Sequence, residues 1–291
     1  MESIKIVIYG WDGFTCQIPR IKEAMLDHGH ILSEDSPDLI YCNDPIEFQK
    51  AIDLKKKNPN AFLILNILDI PWHFPNINKL IEVWKSLLIQ ADVVTTISQK
   101  VKKDLSQLLN KEIFVIYNPV KDVYYDKKIK KNNMFLYVGR ANDPIKRISL
   151  VHESLTKIEG GLKNIKICGS ENPGFGNYLG VVPDEKLNEL YNASKYVYLP
   201  SKAEGIGLTM IEAMICGAIP ITCSDNLTAK EFSPPDFICK PDAQSIVNKI
   251  EELNKDYDYK RELALKFGEK YKIQFDKRTI AKNIIEIFNS R

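Results

Sequence analysis

The sequence predicts an α/β fold built from parallel β-sheets that are covered by helices on both faces. Ten short runs rich in Val, Ile and Tyr are apolar at nearly every position, as expected of strands buried on both faces. Helical patterns lie between most of these runs, and this alternation indicates parallel sheets. The polar stretch Lys121–Asn133 interrupts the alternation and is typical of an interdomain linker, which favours two Rossmann-like domains over one large sheet.

The boundaries of the predicted elements follow from these patterns. The predicted strands are Ile4–Tyr9, Leu39–Cys42, Phe62–Ile67, Val93–Ile97, Ile113–Tyr117, Met134–Val138, Ile165–Cys168, Tyr196–Leu199, Ile219–Cys223 and Phe237–Cys239. The predicted helices are Ile18–His28, Ile77–Gln90, Gln99–Leu109, Ser149–Lys157, Asp184–Ala193 and Ala243–Leu253, followed by a final amphipathic stretch from about Tyr259 to Asn289. We expect an N-terminal domain at 1–122, a linker at 123–133, a C-terminal domain at 134–275 and a last helix at 276–291 that packs back on the N-terminal domain.

Composition and charge exclude several classes of protein. With 291 residues, 44% hydrophobic and 27% charged, the chain is an ordinary globular sequence long enough for a sizeable core. Forty basic and 38 acidic residues give a net charge of only +2, which indicates no strong field for nucleic acid. The lysine runs Lys55–Lys57 and Lys127–Lys131 lack interleaved aromatics and are interpreted as solvated surface.

The expected compartment is the cytoplasm. The N-terminus enters a strand directly and does not have the pattern of a signal peptide, and no run approaches the roughly 18 to 20 apolar residues of a membrane span. The six cysteines are scattered without CxxC or Cys/His metal spacing, so they are interpreted as small buried hydrophobes.

The segment Ser201–Gly217 carries the clearest functional signal. It follows one apolar strand-like run and precedes another, and a short helix is predicted between Gly207 and Gly217, with Gly217 placed to end it. One face of this helix combines apolar residues with a carboxylate; it consists of Leu208, Ile211, Glu212 and Ile215. A charge on a stripe that faces the core is costly unless it is paired, so Glu212 is a candidate for binding ligand hydroxyls.

Glu204 precedes the same helix, in a loop where Gly205 and Gly207 allow the backbone to approach a ligand closely. Free N–H groups and the dipole at a helix start suit a phosphate. One strand–loop–helix unit therefore offers an anion cradle flanked by two carboxylates. The alternative at this point is a solvated Glu204 and a Glu212 paired with a lysine at the helix edge.

Two cations follow the first predicted strand of the second half. Arg140 comes directly after Gly139, and Lys146 begins the next helical pattern. Because the carboxyl ends of parallel strands line the ligand crevice, both side chains could bind one phosphate group there. Both could equally be surface cations. The loop Gly169–Gly176 is too irregular for a P-loop and either walls a nucleotide or is merely flexible.

Several ordered motifs resemble the retaining glycosyltransferases of family 4, which have the GT-B architecture of two Rossmann-like domains facing one another across a cleft. In the second half these are FLYVGR at Phe135–Arg140, Lys146, LGVVPDE at Leu179–Glu185, and the run Tyr198–Met214. Glu204 and Glu212 match the E-x7-E motif of that family. In the first half, the runs at Ala91–Ser98 and Val115–Val120 are similar to the family pattern, with Pro119 in place of its usual glycine.

The resemblance implies that the C-terminal domain binds a nucleoside diphosphate sugar, with a UDP-sugar favoured and a GDP-sugar as the second choice. Arg140, Lys146 and Glu204 would be the catalytic residues, the two cations holding the diphosphate and Glu204 contacting the donor sugar. Glu212 would accept hydrogen bonds from the ribose hydroxyls. The remaining donor-binding positions would be Val181, at the base, and Gly205, Ile206, Gly207, Leu208 and Thr209, at the diphosphate.

The resemblance also implies transfer with retention and without a metal or another cofactor. The alternative glycosyltransferase fold uses an Asp-x-Asp metal motif, and the one such triplet, Asp256–Asp258, lies between two helical patterns and away from any predicted strand end. It is interpreted as a solvated loop.

In this family the N-terminal domain binds the acceptor, and here that half departs from the family pattern. At about 120 residues it is shorter than the family leads us to expect, and Gly13 stands in a Gly-Trp-Asp-Gly loop instead of a Gly-Gly pair. Asp69 stands where the family supplies a histidine pair, and His73 follows a few residues late, beside Trp72. Gly13, Asp69 and His73 are therefore the acceptor-side candidates. A glycan, a lipid-linked or a small-molecule acceptor would fit, the lipid-linked one with peripheral contact at the inner face of the membrane.

Two other functions stay open at this stage. One is a non-catalytic subunit that binds sugar nucleotides or glycans on the same scaffold, which the short N-terminal half would allow. The other is a glycosyltransferase that acts on a modified nucleic-acid base, against which the net charge of +2 argues.

Overall fold

The structure, a computed structural model, describes residues 2–10, 17–68 and 77–290. The chain divides into two compact units. Unit 1 consists of Met1–Pro119 and Gln274–Arg291, and unit 2 consists of Val120–Ile273. Each unit contains one six-stranded parallel sheet, and the predicted α/β fold with two parallel sheets is confirmed.

The sheet of unit 1 has the strand order β2-β1-β3-β4-β5-β6. Its strands are β1 (Lys5–Tyr9), β2 (Ile31–Leu32), β3 (Leu39–Cys42), β4 (Phe62–Ile67), β5 (Val93–Thr96) and β6 (Ile113–Val115). Its helices are α1 (Gln17–Asp27), α2 (Phe48–Lys57), α3 (Ile77–Leu88), α4 (Gln99–Ser106) and, at the end of the chain, α12 (Lys277–Asn289).

Alternation along the strands distributes the core of unit 1 over both faces of its sheet. Ile6 and Ile8 of β1 belong to a buried cluster with apolar residues of α1 and α12. Val7 and Tyr9 belong to a second cluster, which includes residues of α2, α3 and α4. Both faces are therefore covered, which explains why the strands of this half are apolar at consecutive positions.

The sheet of unit 2 has the order β12-β11-β10-β7-β8-β9. Its strands are β7 (Asn132–Val138), β8 (Ile165–Cys168), β9 (Asn177–Gly180), β10 (Ser194–Leu199), β11 (Ile219–Cys223) and β12 (Ile238–Cys239). Its helices are α5 (Ile148–Thr156), α6 (Gly161–Asn164), α7 (Asp184–Ala193), α8 (Leu208–Ile215), α9 (Leu227–Phe232), α10 (Ala243–Lys255) and α11 (Tyr257–Gln274).

Helix α8 ends as predicted at Gly217, which adopts φ +69°. The Gly217 N–H donates to the carbonyl of Met214 at 3.0 Å, and the Ala218 N–H donates to the carbonyl of Ala213 at 2.8 Å. These two bonds form a Schellman motif, whose left-handed residue is most easily a glycine. The helix is buried on more than the one face that its pattern predicted, since Met210, Ala213 and Met214 are also inaccessible.

Helix α11 packs against α8 at a second glycine. A Cβ added to Gly268 would lie 2.5 Å from the backbone carbonyl oxygen of Met214, a distance that only a backbone shift could relieve. Gly268 therefore allows the close approach of the two helices. The contact supports the helix that carries Glu212.

The structure contains elements that the sequence patterns missed: β2, β9, α2, α6 and α9. Strand β9 has no fully buried position, so it lacks the apolar run used to recognise strands. Helix α2 buries Phe48, Ala51 and Ile52 but ends in three lysines, so its sequence has the pattern of a solvated surface segment. The final helical stretch is two helices, because the Asp276 carboxylate accepts hydrogen bonds from the N–H groups of Arg278 and Thr279 and starts α12 anew.

The interpretation of Lys127–Lys131 as solvated is wrong for Lys131, which is 7% exposed. Its ammonium donates to the carbonyl oxygens of Tyr191 at 3.0 Å and Cys216 at 2.6 Å, at the C-terminal ends of α7 and α8. Burial lowers the pKa of Lys131 to about 8. The carbonyls that end two helices provide the negative partial charge that such a buried cation requires.

We predict that Gly268→Ala destabilises the protein, although alanine is the better helix former by about 1 kcal/mol. The added methyl group would meet the Met214 carbonyl, so we expect the free energy of unfolding to fall by about 1 to 3 kcal/mol, measured by urea denaturation followed by circular dichroism. The control is Glu269→Ala at the neighbouring exposed position of α11, which should change stability by less than about 0.5 kcal/mol. A Gly268→Ala protein as stable as the wild type would contradict the close packing described.

Candidate functional site

The carboxyl ends of β7, β8 and β10 lie along one edge of the unit 2 sheet and carry most of the predicted site residues. Strand β7 leads into Gly139 and Arg140, and β10 leads through Pro200 to Glu204. The Gly139 N–H donates to the carbonyl of Cys168 at 3.0 Å. A Cβ at Gly169 would lie 2.0 Å from the Gly139 carbonyl oxygen, so a glycine at 169 is required where these two strand ends meet.

The structure brings Lys146 and Glu204 together. The Lys146 Nζ donates to the Glu204 Oε1 at 2.6 Å, with the two side chains 20% and 13% exposed. The backbones of the two segments are also joined, because the Lys202 N–H donates to the carbonyl of Ile145 at 2.8 Å. A cation and a carboxylate 58 positions apart in sequence thus form one partly buried ion pair beside the start of α8.

Arg147 holds the Lys146 segment from the other side. It adopts φ 51° and ψ 48°, a left-handed conformation that costs a residue other than glycine about 1 to 2 kcal/mol. Its guanidinium forms a two-pronged pair with Asp225, at 3.0 and 2.5 Å. The same guanidinium donates to the Pro200 carbonyl at 3.4 Å. The geometry of this pair is the fixed fork in which an arginine binds a carboxylate most strongly.

The start of α9 completes this arrangement. Asp225 precedes Asn226, whose side chain caps α9, and the Thr228 hydroxyl donates to the Glu204 carbonyl at 2.7 Å. Residues 225–228 therefore contact both partners of the ion pair: Lys146 through its neighbour Arg147, and Glu204 through its backbone. We call residues 225–228 the α9 brace.

Arg140 lies in a different setting from Lys146. Its side chain is 65% exposed and pairs with Asp143 at 2.7 Å. Asp143 also accepts a hydrogen bond from the Ile145 N–H and caps the short 3-10 helix Pro144–Lys146. The two cations that the sequence assigns to one anion thus have separate carboxylate partners here, and an anionic ligand would compete with both.

Glu212 belongs to a chain of contacts, through two buried tyrosines, that spacing did not reveal. Its Oε2 accepts a hydrogen bond from the Tyr191 hydroxyl at 2.9 Å. The Tyr191 ring packs edge-to-face on Tyr124, with the centroids 5.7 Å apart. The Tyr124 hydroxyl donates to Asp184 at 3.3 Å, and Lys121 donates to both oxygens of Asp184 at 2.5 and 2.6 Å.

The ionisation of the two tyrosines is fixed by this environment. Burial, together with the negative charge of Glu212, raises the pKa of Tyr191 and that of Tyr124 well above the usual range. Both phenols therefore stay protonated and act as hydrogen-bond donors. Tyr137, on β7, is held neutral in the same way by burial and the nearby Glu204.

The other donor-side candidates surround the start of α8. Gly207 adopts φ +73° and is the N-cap of the helix, with Leu208 and Thr209 in its first turn. Gly205 is half-buried and Ile206 is 5% exposed. Val181 follows β9 and is 60% exposed.

The acceptor-side candidates Gly13, Asp69 and His73 lie outside the described residues.

Two asparagines mark the carboxyl ends of the neighbouring strands β3 and β4 of unit 1. Asn43 is fully buried, and its side-chain amide has no hydrogen-bond partner among the described residues. The Asn66 side-chain oxygen accepts a hydrogen bond from the Thr95 hydroxyl at 2.9 Å. A Cβ at Gly10 would lie 1.8 Å from the Asn43 Oδ1. This edge of unit 1 is polar although its strands are not.

Within the ranges that the structure describes, no group of three or more His, Cys, Asp or Glu side chains is placed to hold a metal ion. Asp256 and Asp258 lie at the junction of α10 and α11, where Asp256 is 4.0 Å from the ammonium of Lys260. No helix in those ranges has the length and apolar character needed to cross a membrane.

The fold is that of known GT-B proteins. HepE of Anabaena, solved in complex with UDP and glucose, superposes with a TM-score of 0.80 at 18% identity, and the match covers 99% of this chain and 100% of that chain. A glycosyltransferase from Rickettsia africae gives a TM-score of 0.78 at 14% identity, over 100% of this chain and 99% of that one.

Comparisons of the amino-acid sequence found one match to a family model and one to a curated relative. Residues 176–273 match the family model of glycosyl transferases group 1. A 52-residue segment, 18% of this chain, is 50% identical to O-antigen chain mannosyltransferase B of Escherichia coli, and it spans only 13% of that relative. Residues 176–273 thus match glycosyl transferases group 1 within a chain that has the GT-B fold, and both findings agree with the resemblance to glycosyltransferases.

Four of the residues that hold the site together were missed from the sequence, and none of them stands in a motif with a recognisable spacing: Tyr191, Tyr124, Asp225 and Thr228. A fifth, Asp184, stands in the LGVVPDE motif, but the motif indicated no role for it. A signal did exist for Asp225, because the residue after it, Asn226, is of a type that is favoured at the start of a helix. For the tyrosines no periodicity distinguishes a core residue from one that contacts a functional carboxylate.

We predict that the Arg147–Asp225 pair contributes to stability at neutral pH and not in acid. Arg147 lowers the pKa of Asp225 below its ordinary value of 3.8, so the contribution is present above that value and is lost as the pH falls through the lowered pKa. Asp225→Asn should therefore lower the melting temperature at pH 7, and the difference from wild type should shrink toward pH 3. Asp53→Asn, in an exposed pair on α2, is the control and should change little at either pH.

Proposed function

We infer that this protein is a retaining glycosyltransferase that moves a hexose from a nucleoside diphosphate sugar to an acceptor hydroxyl. The observation that carries the proposal is the Lys146–Glu204 ion pair, which lies beside the start of α8 in a chain with a glycosyl transferases group 1 domain. It joins the two residue types that the reaction needs, a cation for the leaving phosphate and a carboxylate for the donor sugar.

The diphosphate would bind at the edge of the unit 2 sheet. Negative charge develops on the leaving diphosphate in the transition state, and donors that are already oriented stabilise it at little reorganisation cost. Lys146, Arg140 and the N–H groups of Gly205 to Thr209, which lead into α8, are the proposed donors. The pairing of both cations with carboxylates keeps them oriented until a more strongly charged partner arrives.

Glu204 and Glu212 would take different parts of the donor. When the donor binds, its phosphate would replace Glu204 as the partner of Lys146. The Glu204 carboxylate could then contact the hydroxyls of the donor sugar and stabilise the positive charge that develops at its anomeric carbon. Glu212 would accept hydrogen bonds from the ribose. Val181 would contact the base through its backbone groups.

A UDP-sugar is the favoured donor. The similar HepE structures hold UDP, UDP with glucose, and UDP-glucose, which supports this choice through likeness of fold. The match to an O-antigen chain mannosyltransferase supports a hexose as the transferred sugar and a glycan, free or lipid-linked, as the acceptor. Asp69 and His73 are the proposed acceptor-side residues. Retention would follow if the acceptor oxygen bonds to the anomeric carbon on the same face from which the diphosphate leaves, with the acceptor proton passing to the leaving phosphate.

We predict that one nucleotide will stabilise the protein in a thermal-shift panel of UDP, GDP, ADP and dTDP and their glucose, mannose and N-acetylglucosamine conjugates. Ligand at 100 times its Kd adds about 2.7 kcal/mol to the stability of the folded protein. The panel is repeated with Lys146→Ala and Glu212→Ala, which should both remove the shift, and with Lys186→Ala, an exposed lysine of α7, which should keep it.

Slow release of free sugar in the same wells would establish turnover before any acceptor is known. Nucleotide binding without release of sugar or transfer would instead favour a non-catalytic subunit. No shift with any nucleotide would overturn the proposal.

We further predict that turnover does not need a divalent metal. Because Lys146, Arg140 and the start of α8 would balance the leaving phosphate, sugar release should keep at least half of its rate in excess EDTA. Addition of Mg²⁺ or Mn²⁺ should raise it less than about twofold, since the donors at the site already supply the stabilisation that a metal would give. A rate that falls tenfold in EDTA and recovers with Mn²⁺ would show that metal independence is wrong.

A further inference from the structure

We propose that Tyr191 positions the Glu212 carboxylate for the donor ribose and makes the site select ribonucleotides over 2′-deoxyribonucleotides. The inference rests on the proposed function, in which Glu212 accepts hydrogen bonds from the ribose hydroxyls. Tyr191 would act through Glu212 and would not itself contact the ligand.

The contact between the two residues joins two helices. Tyr191 stands in the last turn of α7 and is fully buried, and its hydroxyl reaches across to the Glu212 Oε2 on α8 at 2.9 Å. A hydrogen bond from a buried hydroxyl to a carboxylate is charge-assisted and roughly twice as strong as a neutral one. The bond therefore fixes the rotation of the Glu212 carboxylate. Without it, a half-buried glutamate could rotate its carboxylate at little cost in free energy.

Tyr191 is itself held at its ring and at its backbone. Its ring packs edge-to-face on Tyr124, which is anchored by its hydrogen bond to Asp184. Its backbone carbonyl accepts a hydrogen bond from the buried ammonium of Lys131 at 3.0 Å. Lys121 pairs with Asp184 and closes the chain of contacts. A side chain restrained in this way can transmit its position to Glu212.

The direction of the bond does not change with conditions. Burial and the adjacent carboxylate raise the pKa of Tyr191 far above neutrality, so its hydroxyl is a donor at every pH at which the protein would work. Glu212 is consequently the acceptor in this bond. A carboxylate has about four lone-pair sites, of which Tyr191 uses one and a ribose diol would use two more.

Selectivity follows from the loss of one of these donors. A 2′-deoxyribose supplies a single hydroxyl, so one oxygen site of a fixed, half-buried carboxylate would lack the partner that the ribonucleotide gives it. Sites built to bind a hydroxyl reject the analogue that lacks it, because the protein group is left unpaired. A carboxylate that could rotate would discriminate less, because it could find another donor.

The test compares the affinities for UDP and 2′-deoxy-UDP by isothermal titration calorimetry in wild type and Tyr191→Phe. The GDP and 2′-deoxy-GDP pair is run in parallel, so that either base identifies a ligand. Tyr191→Phe should weaken binding of the ribonucleotide about tenfold and of the deoxyribonucleotide less, so the ratio of the two Kd values should move toward one. A general loss of packing would weaken both ligands equally and leave the ratio unchanged.

The matched control is Tyr196→Phe. Tyr196 is as buried as Tyr191, at 1% exposure, and its hydroxyl donates to the Asn254 side chain at 2.8 Å. The substitution also removes the hydroxyl of a buried tyrosine in the same unit, here with a neutral acceptor, and should leave the ratio as in the wild type. In a Glu212→Gln background, Tyr191→Phe should have no further effect on the ratio, because Tyr191 acts through the carboxylate.

The outcomes separate the inference from the proposed function. A wild-type protein that binds neither UDP nor GDP would overturn both. A wild-type ratio retained in Tyr191→Phe, or an equal loss of affinity for both ligands, would overturn the positioning role alone and leave the proposed function standing. A ratio that shifts again in the Glu212→Gln background would show that Tyr191 contacts the ligand directly, which also contradicts the inference.

Discussion

The parallel pairing of β7 with β10 at the centre of the unit 2 sheet is the constraint on which the candidate site depends. Tyr196, Val197 and Tyr198 of β10 stand in register with Phe135, Leu136 and Tyr137 of β7. Two parallel strands in register must end at the same edge, so the loops that follow them begin side by side. For this reason Lys146 and Glu204 meet although 58 positions separate them.

A second feature is that the charges of the site are paired with one another. Lys146 pairs with Glu204, Arg140 with Asp143, and Arg147 with Asp225. Partly buried cations need such partners, because an isolated charge away from water is costly. A phosphate ligand would therefore bind by exchange of partners, while the contacts of the α9 brace with Arg147 and Glu204 hold the backbone in place. The left-handed conformation of Arg147 is tolerated because both terminal nitrogens of its guanidinium pair with Asp225.

The two carboxylates of the E-x7-E spacing are supported in different ways. Glu204 lies in a loop that is held by two hydrogen bonds, one from the Lys202 N–H to the Ile145 carbonyl and one from the Thr228 hydroxyl to the Glu204 carbonyl. Glu212 lies on a helix that is closed at Gly217, packed against α11 at Gly268 and fixed at its carboxylate by Tyr191. The loop can adapt to a ligand with small backbone changes, whereas the helix position is rigid. This difference suits one carboxylate that changes partner during a reaction and one that only recognises.

The sequence by itself determined the properties that depend on near neighbours. It located nearly all of the longer strands, because burial on both faces demands apolar residues at consecutive positions, and it located the end of α8, because a Schellman motif requires a residue that tolerates positive φ. It also marked Glu204, Glu212, Arg140 and Lys146 as candidates. Short or edge elements such as β9 escaped, since half-buried positions carry no periodic signal.

Only the tertiary structure decided which of these groups meet. The partners of Lys146, Arg147, Glu212 and Lys131 are separated from them by 21 to 85 positions, and no local pattern encodes such a distance. Lys131 shows the reason most clearly, because a lysine in a charged run becomes a buried cation once the ends of two helices supply its acceptors. Contacts of this kind arise from strand register and helix packing, which sum the preferences of the whole chain rather than those of one segment.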